Sequence, residues 1–166
     1  MTLPATRTWW LLIAGGSALL ALASILLTEW LALQPCHLCI FQRLIYMLMV
    51  PFALIAAFSS GLGQRISGAL VAVSAVAGAV TATYQTWLQQ QPAGSVSCVG
   101  AQMGPFERLV EWLGMQQPML FMATGFCEDQ GLVILGLALA QWALICFLLA
   151  LLLSLWLLVR SRGERR

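Results

Sequence analysis

The sequence predicts an all-α membrane protein: a four-helix transmembrane bundle with one long outer loop that carries a short interfacial helix. Three observations predict it. Residues are 61% hydrophobic and only 8% charged, against roughly 25% charged in a soluble domain. Four apolar stretches are long enough to cross a bilayer. The arginines fall mostly on one side of those stretches. All eight basic residues are arginine, and the net charge of +2 is too small and scattered to suggest nucleic acid. The 166 residues form one domain.

The first span is expected at 9–30, about 33 Å of helix, with Trp9, Trp10 and Trp30 at its ends, where amphipathic rings settle at the interfaces. Arg7, the apolar run and Ala21-Leu22-Ala23 resemble a secretory signal. The apolar run continues through Ile25, Leu26 and Leu27, so retention is expected. The second span, 40–58, contains Pro51, which removes a backbone donor and predicts a kink. Ser59, Ser60, Gly61 and Gly63 make a turn into the third span, 66–87. That span pairs small residues four apart, as in Gly68 with Ala72 and Ser74 with Gly78. Such faces serve close helix packing.

A polar excursion over 89–130 follows, longer than ordinary connections. Within it, 105–113 reads as an amphipathic helix lying on the membrane surface. Phe106, Leu109, Val110 and Leu113 share one face, with Glu107, Arg108 and Glu111 off it. Pro105 suits a helix start and Gly114 a stop. A fourth span is expected at 132–159.

Four spans put both termini on one side, with Arg7, Arg65, Arg160, Arg162, Arg165 and Arg166. The other side holds only Arg43 and Arg108 among basic residues, so the termini are expected to be cytoplasmic. Cys36, Cys39, Cys98 and Cys127 then all face outside, where disulfides persist. Cys146 falls mid-span, isolated, and reads as an apolar packing residue. Four cysteines allow three connectivities. The Cys-x-x-Cys spacing makes Cys36–Cys39 with Cys98–Cys127 the expected resting arrangement.

Two such pairs suit dithiol oxidation. A partner thiolate attacks the loop disulfide reachable from water, and exchange carries the electrons to the pair at the membrane edge. Arg43 lies one helical turn beyond Cys39. Its guanidinium would favour the Cys39 thiolate and bond a carbonyl oxygen of an acceptor. The bland alternative is an arginine that snorkels to headgroups. His37, between the two cysteines, would tune them, and adjacent Cys and His rarely serve one ion, so no metal is expected.

The run Gln34-Pro35-Cys36-x-x-Cys39-Ile40-Phe41-Gln42-Arg43 resembles the bacterial disulfide-bond formation protein B (DsbB) family of quinone-coupled membrane thiol oxidases. Thr124-Gly125-Phe126-Cys127 and Leu135-Gly136-Leu137 ahead of Gln141-Trp142 extend the likeness along nearly the whole chain. The resemblance implies an enzyme of the bacterial inner membrane with a periplasmic loop and periplasmic redox cysteines. Cys98 would be attacked by a DsbA-like periplasmic oxidase of the thioredoxin fold. Cys127 would then attack Cys36, and Cys39 would leave as the thiolate facing ubiquinone or menaquinone, with Arg43 beside it. Two departures stand out. Members often carry a histidine near the outer end of span three, where this chain reads Tyr84-Gln85-Thr86-Trp87. Ala140 stands where a proline is common, which should straighten the start of span four.

Two other readings compete. Vitamin K epoxide reductase-like four-helix proteins also combine a Cys-x-x-Cys with a quinone, but there the quinone-side pair usually comes late in the chain. A non-enzymatic membrane subunit braced by two structural disulfides is the second.

Overall fold

The computed structural model describes residues 4–92, 104–129 and 131–163. Four long helices carry the fold: α1 (Pro4–Trp30), α2 (His37–Phe58), α3 (Leu62–Leu88) and α6 (Leu139–Gly163). Each contains a stretch of mean hydropathy between 1.8 and 2.7, long enough to cross a membrane. The chain is a multi-pass, all-α membrane protein, and its only strands among the described residues are two short ones. Two shorter helices, α4 (Pro105–Gln116) and α5 (Pro118–Phe121), lie in the long connection between α3 and α6. Cys98 and the tail arginines Arg165 and Arg166 lie outside the described residues.

The connections at the two ends differ in kind. Between α2 and α3 the chain turns through Gly61 at φ 67° and ψ −125°, a conformation open to glycine and strained for other residues. Between α1 and α2 it turns through Ala32 at φ 48° and then through Pro35. α2 runs unbroken through Pro51.

α2 packs on α1 and on α3, and α3 packs on α6, while α1 and α6 barely touch. The small residues of α3 make these approaches possible. Trp10 lies over Gly68, and the ring of Phe147 lies directly on Gly78. Phe147 also stacks on Tyr46, with centroids 4.2 Å apart and planes 6° from parallel, which ties α3, α6 and α2 at one level. The arginines mark one end of the bundle. Arg7 lies 4.5 Å over the Phe58 ring, and Arg65 donates to the Ser161 carbonyl at 3.5 Å. Cys36, at the start of α2, stands at the opposite end.

The start of the fourth span differs from the sequence expectation. Val133–Ile134 pairs antiparallel with Leu137–Ala138, and helix begins only at Leu139. Leu135 and Gly136, at φ 52° and 80°, form the two-residue turn, with the positive-φ geometry that suits hairpin strands. Trp142 Nε1 donates to the Ile134 carbonyl at 3.1 Å, and the Gln141 side chain accepts the Ala138 N–H at 2.9 Å. Gln141 thereby caps the helix from its third position. A short apolar run flanked by glycines fits a strand as well as a helix, which is why hydropathy alone overextended the span. Ala140 sits in the first turn of α6, so there is no earlier helix for it to straighten.

α4 also departs in detail. Val110 is fully buried, and with Phe121 it packs on Ile40 of α2. Leu109, on the same apolar stripe, is 42% exposed and is not covered by protein. Glu107, expected outside, is buried, because its carboxylate accepts the Gly104 N–H at 2.6 Å and closes the helix start. Phe106, Val110 and Leu113 face inward, while Trp112 and Met115 join Leu109 outside.

Candidate redox site

Cys36 is the residue immediately before α2 and acts as its cap. Its backbone is extended (φ −85°, ψ 170°), its sulfur accepts the Cys39 N–H at 3.4 Å, and its carbonyl accepts the Ile40 N–H at 3.0 Å. One helical turn returns Cys39 to the same place, so the two sulfurs stand 2.9 Å apart, both as free thiols, and the disulfide expected between them at rest is not formed here. Cys36 is buried, and its hydrogen bond with the Cys39 sulfur together with burial pushes its thiol up.

The loop cysteine is brought to this couple by backbone contacts. The Thr124 and Gly125 N–H groups both donate to the Pro35 carbonyl, at 2.9 and 3.1 Å. Gly125 passes so close to Gln34 that a Cβ there would collide with the Gln34 backbone carbonyl. Gln89 at the end of α3 donates to the Asp129 carbonyl at 3.1 Å and holds the segment from the other side. Between these anchors Cys127 is fully buried and packs in one cluster with Cys36, Leu38 and Leu88. Cys127 is disulfide-bonded, whereas the expected pairing with Cys98 involves a residue outside the described set.

Arg43 lines the same cavity as Cys39, and its hydrogen bonds go elsewhere. It is only 3% exposed, so it does not snorkel. Its Nε donates to Ser24 Oγ at 2.9 Å, Nη1 to the Leu120 carbonyl at 2.7 Å, and Nη2 to Thr28 Oγ1 at 2.8 Å and the Ser24 carbonyl at 3.1 Å. The guanidinium thus clamps α1, α2 and α5 together, and no hydrogen bond from it to Cys39 is present among the described residues. We expect Arg43→Lys to lower stability by about 2 kcal/mol, since an ammonium cannot reproduce the planar fork and charged hydrogen bonds contribute about 1.5 kcal/mol or more each. Thermal unfolding in detergent measures this, and an unchanged midpoint would remove the clamp role.

The group that does reach the sulfurs is Gln85, on α3. Its Nε2 donates to Cys39 Sγ at 3.0 Å and lies 3.5 Å from Cys36 Sγ, while its Oε1 accepts from Gln42 Nε2 at 2.9 Å. In the sequence this position stands out only for the histidine it lacks. The available signal was two amide side chains, Gln42 and Gln85, inside apolar spans, where polar groups are expensive.

These residues line a cavity of about 240 Å³. It lies where α1 and α6 part, with Leu20, Ala23 and Leu27 on one wall and Leu139, Trp142 and Ala143 on another. Cys39, Gln42, Gln85 and Arg43 supply polar atoms on its α2–α3 side. Cys146, expected to be isolated, lines the same cavity, because α6 starts a full hairpin later than hydropathy suggested.

The family model described as disulfide bond formation protein DsbB matches residues 6–157. The chain belongs to this family. It is similar to disulfide bond formation protein B of Dechloromonas aromatica (strain RCB), 38% identical over 141 residues and 85% of each chain. The protein of that name in Azoarcus sp. (strain BH72) is 36% identical over 151 residues, 88% of this chain and 87% of that one. Disulfide bond formation protein B 1 of Pseudomonas fluorescens is 40% identical over 133 residues, 78% of this chain and 76% of that one. DsbB membership covers all four long helices.

Proposed function

We propose that this protein is a bacterial inner-membrane thiol oxidase that reoxidises a DsbA-like periplasmic dithiol protein and delivers the electrons to a membrane quinone. The observation that carries the reading is the packing of Cys127 against Cys36, with Cys39 on the wall of a cavity between α1 and α6. On this reading the loop disulfide and the Cys36–Cys39 couple act in series, the second beside the cavity. The sorting of Arg7, Arg65 and Arg160 to the other end supports cytoplasmic termini and periplasmic sulfurs.

The relay follows thiol–disulfide exchange. A partner thiolate attacks Cys98 of a Cys98–Cys127 disulfide, and Cys127 leaves with the bond pair. Cys127 then attacks Cys36 of the oxidised Cys36–Cys39 pair, a Cys127–Cys36 bond forms, and the released pair of electrons stays on Cys39. The cavity suits a quinone ring: its walls are largely aliphatic, it opens between two barely touching helices, and Gln42, Gln85 and Arg43 offer polar atoms beside Cys39. Ubiquinone or menaquinone, held there, supplies a two-electron, two-proton acceptor. Around it the protein's own task is to exclude water, hold Cys39 at the wall and keep the loop segment docked on Pro35.

The test is direct. Purified protein given a reduced DsbA-like partner should bleach the absorbance of a soluble ubiquinone analogue catalytically, with the labelling of Cys36 and Cys127 changing during turnover. Cysteines that stay locked while partner and quinone are present would instead establish a braced structural subunit.

A further inference from the structure

We infer that Gln85 is the positioning residue that decides which sulfur of the membrane couple carries the negative charge, and that Gln42 sets the direction of its amide. The inference rests on reading Cys36 and Cys39 as a redox couple, and it concerns a residue outside the cysteine relay.

Two amide side chains are buried side by side in apolar helices, Gln42 at 5% and Gln85 at 3% exposure. Such burial is unfavourable unless every polar atom finds a use. Gln42 lies three residues beyond Cys39 on α2, so both face α3. Its Nε2 donates to Gln85 Oε1. With its oxygen engaged in this way, Gln85 can present only its N–H groups to the sulfurs. The two sulfurs are not treated alike, being 3.0 Å from the amide nitrogen for Cys39 and 3.5 Å for Cys36.

That asymmetry matches the direction of exchange. When Cys36 is attacked, the sulfur–sulfur bond breaks and its electron pair remains on Cys39. A donor already aimed at Cys39 stabilises that anion without reorganisation. Arg43 adds its charge through space, but its hydrogen bonds go to Ser24, Thr28 and Leu120. Gln85 is the side-chain amide in direct contact.

Gln85→Glu separates the electrostatic role from packing. It keeps the shape and an oxygen for Gln42 to donate to, yet turns an acceptor toward the sulfur. Gln85→Met keeps the volume and removes both bonds. Two measurements are made on the full chain in detergent: the alkylation rate of Cys39 in fully reduced protein, mapped by peptide mass, and the equilibrium of the Cys36–Cys39 disulfide with glutathione. In Gln85→Met the rate and the oxidising equilibrium should both fall roughly tenfold, the usual scale for one hydrogen bond to a charged group. In Gln85→Glu at neutral pH both should fall at least as far. Wild-type values in Gln85→Glu, whatever Gln85→Met does, would overturn the assignment, since they would leave Gln85 only its bond to Gln42. If Gln85→Met fails to fold, Gln85→Glu still decides. Neither readout contains a quinone or a partner protein, so this result and the reading of function can fail separately.

Discussion

Replacing Gly125 by valine should slow the exchange between Cys127 and Cys36 by about 100-fold, because a misplacement of about 1 Å at reacting atoms has effects of that size. The cause is local. The segment before Cys127 is held by two N–H groups on the single Pro35 carbonyl. Any Cβ at Gly125 would run into the Gln34 backbone, which cannot rotate away as a side chain can. The segment must lift, and Cys127 lifts with it from the cluster it shares with Cys36, Leu38 and Leu88. Gly125→Ala should show much of the same loss, since the collision involves the first side-chain carbon. The measurement is the rate at which a reduced partner opens the Cys36–Cys39 disulfide, followed by quenching and alkylation. Exchange at the wild-type rate in Gly125→Ala would show that the docking against Pro35 does not set the sulfur geometry.

Cys39→Ser should abolish catalytic turnover altogether while leaving the loop disulfide reactive. Without the second sulfur, Cys36 has no disulfide for Cys127 to attack. One equivalent of partner dithiol is consumed, and the reaction stops with no quinone bleached. The serine keeps the helix start nearly intact, because the cap is formed by Cys36 and the Cys39 backbone N–H rather than by the Cys39 side chain. Continued quinone reduction by Cys39→Ser would place the electron exit at another group. The cavity-lining Cys146 would then be the residue to test next.

Much of the architecture was legible because a bilayer imposes one dominant constraint. Backbone polar groups must be satisfied within the segment, so long apolar runs become helices, and three of the four spans follow from hydropathy alone. The fourth was overextended at its start. Val133–Ile134 and Leu137–Ala138 are as apolar as the helix that follows, and the Leu135-Gly136 turn, pinned by Trp142, folds them into a hairpin ahead of it. α4 is legible as amphipathic, but which of its residues meet protein depends on packing against Ile40 of α2, a contact remote in sequence.

The site divides along the same line. Cys36 and Cys39 are neighbours because one helical turn separates them, and that proximity is written in their spacing. Spacing also places Arg43 beside Cys39, yet it cannot say which groups hold the guanidinium, here Ser24, Thr28 and Leu120. Gln85 is not legible in this way, because it lies 46 residues from Cys39 along the chain.

What the sequence alone determined is what local periodicity and solvent preference dictate: four apolar helices, one arginine-rich end, and a dithiol capping the second helix. The tertiary structure decided which distant groups meet those sulfurs. Cys127 arrives because Gly125 has no side chain to keep it off Gln34, Gln85 arrives because α3 packs on α2, and the cavity exists because α1 and α6 stay apart. Each is a contact between segments remote in sequence, set by close packing that no single stretch of chain encodes.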